Sequence, residues 1–282
     1  MMLRSLTCAL GALLLAVPAA AGAQTDVVRQ VVGACVGCRL PKDLRGLDLH
    51  GVNLVGDNLR DVDFSHANLR EATFTGDDLD GTRFDGADLR QARFVGVQLR
   101  NVSFAGAQTD GIRFVGISLD RSAGAETQRV VVRDCTGCSL GELDLRGADL
   151  RGIRIVGANL KQANLHGAVL RDAYLVGTNA READLTSADL QGADLVGANL
   201  RDARLGGATI GDAILCSQSW ENDAPRTSCA NLQGVDPHGI DLRAARWCGG
   251  HRDDRIPRDC RPVTHAELVE AAHADLSGAL AP

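Results

Sequence analysis

The sequence predicts an all-β solenoid, in which many short and similar units stack on one another. Three observations indicate this fold class. Leucine, isoleucine or phenylalanine returns at every fifth residue over most of the chain, a Val-Gly pair returns at intervals of about twenty residues, and aromatic residues make up only 3% of the composition. With so few aromatic side chains, a chain of 282 residues has to build its core from repeated units.

The five-residue repeat forms two runs. Sixteen consecutive positions carry it from Leu44 to Leu119, interrupted only by Thr109, and sixteen more run from Leu140 to Leu215, where only Ala180 is small. The residue two places before each of these central residues is usually small and apolar, and the other three are mostly Gly, Asp, Asn, Arg or Gln. A period of five suits neither an α-helix nor a flat strand. We therefore predict that two residues of each unit point inward and three outward, and that the units stack.

The units ANLRE, ADLRQ, ADLQG and ANLRD resemble the pentapeptide-repeat family, whose motif is A-(D/N)-L-X-X. Matching units extend over well over half of the chain. The resemblance implies a right-handed quadrilateral parallel β-helix with four pentapeptides in each coil. Each run then forms four coils of twenty residues.

The Val-Gly pairs predict an apolar face, because a residue type that returns every twenty residues stays on one side of such a coil. These residues follow a central residue directly and therefore point outward. The predicted interaction face consists of Val55, Thr75, Val95 and Val115 in the first run and of Val156, Val176 and Val196 in the second. A contiguous exposed apolar strip usually marks a contact, although valine also simply suits extended backbone.

The sequence alone does not decide what binds to this face. Residues 119–135 could extend roughly 50 Å, so the two runs could fold back and set their valines against each other. We prefer this contact to a homodimer, and an outside protein is the remaining alternative.

The phenylalanines predict how the core of the first run is filled. All six take central positions and follow one another at ten-residue intervals, so they should form two opposite Phe faces that alternate with two Leu faces. These core residues are Phe64, Phe74, Phe84, Phe94, Phe104 and Phe114.

The N-terminus is typical of an export signal. Met1 to Arg4 is basic, Leu6 to Val17 is apolar but too short to span a bilayer, and a small-x-small site ends at Ala23. We expect a secreted or periplasmic protein without a membrane span. The predicted organisation is a signal peptide over 1–23, capped solenoids over 24–120 and 121–216, and a disulfide-rich cap with a short helix over 217–282.

The cysteines that remain after cleavage are even in number, which argues for disulfides in an oxidising compartment. By position they pair as Cys35–Cys38, Cys135–Cys138, Cys216–Cys229 and Cys248–Cys260. The first two pairs precede the two runs, and we expect them to pin the first coil of each. Two alternatives are a zinc site made from both CxxC pairs and a redox pair, which would need a helix N-terminus beside the thiols. Zinc could also be bound by Cys248, His251, Cys260 and His265.

Two further features are expected near the ends of the runs. Asp57 and Asp77 take inward positions twenty residues apart. Either one of them takes up a proton, or the two share a cation, or they bond to corner backbone or turn outward. Thr264 and Glu267 form a capping box, which predicts a short helix over 264–276 that covers the last coil.

The sequence contains no set of acid, base and nucleophile, and a convex rod lacks the concave site that enzymes use. We predict a non-enzymatic exported interaction protein with no cofactor, no nucleic-acid ligand and an unknown protein partner. One alternative is a DNA mimic that binds topoisomerase, as some members of the family do; the signal peptide and the mixed charges of Arg60, Asp80 and Arg100 in one column oppose it. The other is a periplasmic thiol–disulfide protein.

Overall fold

The structure is a computed structural model that describes residues 36–37, 40–119, 123–221, 224–236, 240, 242, 244–249, 259–264, 266 and 269. The chain divides into two compact units, Met1–Asp134 (unit 1) and Cys135–Pro282 (unit 2). The signal peptide expected over 1–23 and the pair Cys35–Cys38 lie outside the described residues. In both units the chain winds as a parallel β-solenoid, as predicted.

Unit 1 contains six short strands. They are β1 (Asn53–Val55), β2 (Thr73–Thr75), β3 (Arg93–Val95), β4 (Gln98–Leu99), β5 (Arg113–Val115) and β6 (Ser118–Leu119). On one face β1, β2, β3 and β5 pair in parallel, with Leu54 opposite Phe74 and Phe94 opposite Phe114. Paired residues lie twenty positions apart in sequence, so the twenty-residue coil is confirmed.

The core of unit 1 is a double stack of phenylalanine rings. Phe64, Phe84 and Phe104 form one stack, with centroids 5.4 and 5.2 Å apart. Phe74, Phe94 and Phe114 form the other, and the two stacks meet edge to face across the core at 5.5–6.2 Å. All six rings are buried. The ten-residue spacing therefore places the rings on opposite faces of the coil. Their stacked and edge-to-face contacts stabilise the core beyond the effect of burying their surface area.

The corners of the coil have a backbone requirement that the sequence analysis did not identify. Every described residue with positive φ lies two places after a central residue, whether it is glycine, such as Gly56 (φ 65°), or not, such as His66 (φ 61°). Left-handed backbone lets the chain turn from one face to the next. Glycine adopts it without penalty, which explains why glycine is so frequent at this position.

A helix that we did not predict packs on the last coil of unit 1. Helix α1 (Ala125–Val131) buries Thr127, Gln128 and Val131. The Thr127 hydroxyl donates to the Val102 carbonyl at 2.9 Å, and the Gly106 N–H donates to the Glu126 carboxylate at 3.0 Å. At these two positions, side chains of the helix take the place of the backbone partners that a regular coil would supply.

Helix α1 bears on the connection between the two runs. Residues 125–131 are helical and not extended, so residues 119–135 reach less far than the roughly 50 Å of a fully extended segment. The first compact unit ends at Asp134, and α1 belongs to it. Seven helical residues without a side-chain N-cap bond left little signal in the sequence.

Unit 2 also winds as a parallel solenoid and carries two hairpins. Strand β7 (Asp134–Thr136) begins at the last residue of unit 1, and the further strands are β8 (Arg154–Val156), β9 (Ile214–Glu221), β10 (Ala224–Cys229), β11 (Arg246–Gly249) and β12 (Asp259–Pro262). Strands β9 and β10 are antiparallel, as are β11 and β12, and β9 pairs with β11 in parallel. The four form one sheet in the order β10-β9-β11-β12.

The first hairpin is an insertion into a coil. Asn179 pairs with Asn199, twenty residues on, but Asn199 pairs with Asn231, thirty-two residues on. The solenoid therefore resumes in register after twelve additional residues, and the pair Cys216–Cys229 closes the base of the insertion. Of the helix predicted over 264–276, Ala266 and Val269 are helical, and most of the remainder lies outside the described residues.

Candidate functional site

The predicted apolar face of unit 1 is present as a column of side chains on one sheet. In strands β1, β2, β3 and β5, Val55 lies opposite Thr75, Thr75 opposite Val95, and Val95 opposite Val115. We call these four residues the Val column of unit 1. Each is half-buried, whereas the central residue before it is fully buried. The column therefore presents apolar surface outward, as alternation along a strand requires.

The surroundings of this column leave it open. The glycine after each of its members adds no side chain, and around Gly56 and Gly96 there is no other atom within 4 Å of the place a Cβ would take. Val36 pairs with Val55 and extends the column by one residue, with 74% of its surface exposed. On the other side, Arg93 and Arg113 are exposed. The strip is thus flat, apolar and bordered by cationic side chains.

The corresponding face of unit 2 is partly covered by the chain itself. Val156 and Val176 are half-buried, but Val196 is only 7% exposed. Strands β9 and β10 follow in the next coil, and Ser228 Oγ lies 3.0 Å from the place a Cβ of Gly197 would take. The hairpin closed by Cys216–Cys229 therefore lies against this end of the face, and Val156 and Val176 remain as its accessible part.

Both hairpins leave the solenoid from the same corner. Cys216 occupies the place of the next valine in the column, and Cys248 pairs with Ser217 one coil later. Each cysteine is joined to the strand that returns, Cys216 to Cys229 and Cys248 to Cys260. The sequence signal for this arrangement was the position of Cys216, twenty residues after Val196, together with the resumption of the repeat at ANLQG.

The charged faces carry compensating pairs and no acidic stripe in the part of the chain that the structure describes. Within one column of unit 1, Arg60 Nη2 lies 2.8 Å from Asp80 Oδ2. In another column, Arg83 contacts Asp63 one coil away. In unit 2, Arg181 Nε lies 2.9 Å from Glu182 Oε1. Acids are thus neutralised by arginines of the same or the neighbouring coil, which weakens the long-range field of these faces.

The second CxxC pair is built into the core. Cys135 and Cys138 are joined, both side chains are buried, and Cys135 lies in strand β7. A redox CxxC needs an exposed thiol at a helix N-terminus, so the geometry disfavours thiol exchange here. Cys248–Cys260 is likewise paired, while His251 and His265 lie outside the described residues. Among the residues that are described, no group of three or more His, Cys, Asp or Glu is placed to hold a metal ion.

Asp57 and Asp77 point inward, as their register predicts, and they bond to backbone. The Asp57 N–H donates to Asp77 Oδ1 at 2.7 Å, and the Val55 N–H donates to Asp57 Oδ2 at 3.1 Å. Only 1% of Asp57 and 4% of Asp77 is exposed. Burial raises the pKa of Asp77 to about 6; the bond from Asp57 N–H lowers it, and the charge of Asp57 adds to the increase. Of the possibilities considered for this pair, the structure shows bonds to backbone, and the raised pKa of Asp77 bears on the uptake of a proton.

The pocket beside Asp77 has a volume of about 320 Å³ and is lined by charged residues that include Arg60, Asp78, Asp80 and Arg100. Its arginine Arg60 is already engaged by Asp80 and Asp78. No helix of the described residues combines the length and apolarity that crossing a bilayer requires.

Comparison with protein families agrees with the solenoid. The family model described as "Pentapeptide repeat region" matches residues 47–123, and the model described as "Pentapeptide repeats (8 copies)" matches residues 134–172 and 163–207. Together the matches extend over more than half of the chain. A comparison with curated proteins found no match.

Several solved structures are similar to this chain. One is HetL, a pentapeptide repeat protein involved in heterocyst differentiation regulation from the cyanobacterium Nostoc sp. strain PCC 7120, which is 26% identical over 74% of this chain and 87% of its own, with a TM-score of 0.39. A pentapeptide repeat protein from the Arabidopsis thaliana thylakoid lumen is 27% identical over 43% of this chain and 69% of its own, with a TM-score of 0.27. QnrB1, a plasmid-mediated fluoroquinolone resistance protein, is 18% identical over 73% of this chain and 79% of its own, with a TM-score of 0.26.

Proposed function

The chain belongs to the pentapeptide-repeat family, and on that premise we propose that it is an exported, non-enzymatic protein that presents a rigid solenoid face to a protein partner. The Val column of unit 1 carries this proposal. It is a continuous row of half-exposed apolar side chains on paired strands, with Val36 exposed at its end and arginines beside it. Isolated exposed valines are ordinary, but a contiguous apolar strip usually marks a contact.

The partner is either a second copy of this chain or another protein. Both would use the same physical features, since a flat strip without side chains at the glycine positions lets another backbone or a flat apolar surface approach closely. A contact between the two runs through a long extended connection is no longer the preferred occupant, because α1 takes up much of that segment.

A single substitution on the column tests the proposal. Val95→Arg places a charge in the middle of the strip, and it should abolish binding because the guanidinium would have to be desolvated in the contact. Ala105→Arg is the matched control, since Ala105 is an exposed, outward residue on a different face. Both variants should keep the melting temperature of the native chain.

Two measurements distinguish a second copy of this chain from another protein as the partner. Light scattering on the purified chain measures self-association, and affinity capture from a periplasmic extract followed by mass spectrometry identifies another protein. If Val95→Arg and Ala105→Arg behave like the native chain in both measurements, the Val column is not the binding face.

Export is proposed from the N-terminal residues. A basic start, a short apolar run and a small-x-small site are the features of a secretory signal. Cell fractionation of a C-terminally tagged chain should recover a product cleaved after Ala23 outside the cytoplasm. Recovery of the full-length chain in the cytosol would contradict export, and it would restore the topoisomerase-binding alternative.

The two rival functions lack a supporting feature in the described residues. A DNA mimic needs a continuous negative surface, whereas the acidic residues of neighbouring coils pair with arginines such as Arg60 and Arg83. A thiol–disulfide protein needs an accessible pair, whereas Cys135 and Cys138 are buried.

A further inference from the structure

The inward acids of unit 1 interrupt a column that is otherwise apolar. In successive coils the same inward position is occupied by Asp57, Asp77, Val97 and Ile117, and all four are buried. Another polar residue at an inward position, Thr82, donates its hydroxyl proton to the Leu59 carbonyl at 2.8 Å. An ionised carboxylate cannot be satisfied in this way, because it is acceptor-only and carries a charge.

The hydrogen bonds of the pair leave one carboxylate oxygen unsatisfied. Asp77 Oδ1 accepts the Asp57 N–H, and Asp57 Oδ2 accepts the Val55 N–H. Asp77 Oδ2 is buried and has no hydrogen-bond partner among the described residues. Strands in neighbouring coils lie about 4.8 Å apart, so two ionised carboxylates stacked in this way, both almost fully buried, would repel each other.

A proton fits this arrangement better than a metal ion does. The described residues provide no group of three or more acidic, histidine or cysteine side chains for a metal. The pocket outside Asp77 is bordered by two guanidinium groups, those of Arg60 and Arg100. A neutral carboxyl group, by contrast, keeps the bond from Asp57 and removes the buried charge, whose desolvation is far more costly than that of a neutral polar atom.

We propose that Asp57 and Asp77 form a proton-controlled latch in unit 1, in which a neutral Asp77 carboxyl holds the coils that carry the pair closed and loss of its proton loosens them. The latch does not depend on the proposed binding function. Its position in the N-terminal part of unit 1 matters, because coils close to the end of a stacked array open more readily than coils at its centre.

Among the groups that face one another here, Asp77 is the one suited to change its protonation near pH 6. From the preceding coil it faces Asp57, and the following coil supplies the uncharged Val97 at the same place. The pocket adds Arg60, Arg100, Asp78 and Asp80, and none of these is a histidine. The pKa of Asp77, raised by burial to about 6, is consistent with the latch.

Hydrogen-exchange mass spectrometry of the full chain tests the latch. Exchange would be measured at pH 5.0 and pH 7.5 and corrected for the intrinsic pH dependence of amide exchange. Peptides from the coils that contain Asp57 and Asp77 should exchange about tenfold faster at pH 7.5, since one pKa unit corresponds to a factor of ten. Peptides around Val97 in the same unit should change much less.

Three variants make the test specific. Asp77→Val copies the residue that occupies the same place at Val97, and it should abolish the pH dependence; Asp77→Asn should do the same and serves if the valine variant does not fold. Asp63→Asn is the control, because Asp63 is a buried acid that is paired with Arg83, and it should leave the pH dependence unchanged. The latch is refuted if the native peptides show no pH dependence, or if both Asp77 variants retain it.

Discussion

The rings of Phe74 and Phe94 lie nearly parallel, one coil apart, with their centroids separated by 4.6 Å. Phe94 also meets Phe84 and Phe104 edge to face, at 5.7 and 5.9 Å. It therefore contacts rings of its own stack and of the opposite one. A single residue at the centre of the double stack contributes to the packing of several coils at once.

This geometry predicts a large effect of truncation. Phe94→Ala should lower the free energy of unfolding by about 3–5 kcal/mol, because it leaves a cavity that a stacked array cannot close. Thr109→Ala should have a much smaller effect, since Thr109 is only half-buried and loses little apolar volume. Urea denaturation followed by circular dichroism measures both, and equal losses would contradict the assigned register.

Two adjacent glycines provide a test of the corner backbone. Gly207 has φ +69°, and the nearest atom to an added Cβ would be Ser187 Oγ at 3.6 Å, an ordinary contact. Gly206 lacks a positive φ and has no atom within 4 Å of an added Cβ. Gly207→Ala should therefore reduce stability by about 1 kcal/mol, and Gly206→Ala should be neutral or slightly stabilising. Thermal unfolding of the two variants reports the difference, and similar melting temperatures would show that the corner is not strained.

The dependence of stability on pH follows from Asp77. Its pKa is raised to about 6 in the folded protein by burial, above the value of about 3.9 expected in the unfolded chain. The folded state therefore holds this proton more tightly, so the contribution is fully present below about pH 4 and is lost as the pH rises through 6.

Asp77→Asn removes this dependence. Relative to the native chain, the variant should gain on the order of 1–3 kcal/mol at pH 7.5 and nothing at pH 4, because a neutral amide has no charge to desolvate. Chemical denaturation at both pH values measures the gain. Curves that run parallel for the two proteins would mean that Asp77 does not titrate in this range.

The cysteine pairs make a chemical prediction. Mass spectrometry of the non-reduced protein should find the links Cys135–Cys138, Cys216–Cys229 and Cys248–Cys260, and also Cys35–Cys38. Replacing Cys135 and Cys138 by Ala should reduce stability by about 2 kcal/mol, given the short loop that they close. Free thiols or a stoichiometric metal in the purified protein would contradict the assignment.

The coil and its inward residues could be predicted because the repeat itself encodes them. Twenty-residue register, the burial of Phe64 to Phe114 and the outward valines all follow from position within a unit. The inward placement of Asp57 and Asp77 was predicted in the same way, since register and not residue type decides which way a side chain points. Their hydrogen bonds could not be predicted, because a carboxylate finds donors according to distances within the folded coil.

The ends of the repeat were harder to predict. Helix α1 has seven residues and no side-chain cap, so its stability comes from packing Thr127 and Val131 on the last coil and not from its own sequence. The hairpins closed by Cys216 and Cys248 were visible as cysteine pairs, but their common sheet depends on strand pairing between residues far apart in sequence.

By itself the sequence determined the family, the twenty-residue coil and the face on which each residue lies. Every unit repeats the same local contacts, so a single irregular unit does not change the register that its neighbours define. Only the tertiary structure decided the features that break the repeat: the hairpin that lies against the end of the Val196 face, the helix that packs on unit 1, and the unsatisfied oxygen of Asp77. These features arise from long-range contacts that each occur once in the chain, so the repeat pattern does not predict them.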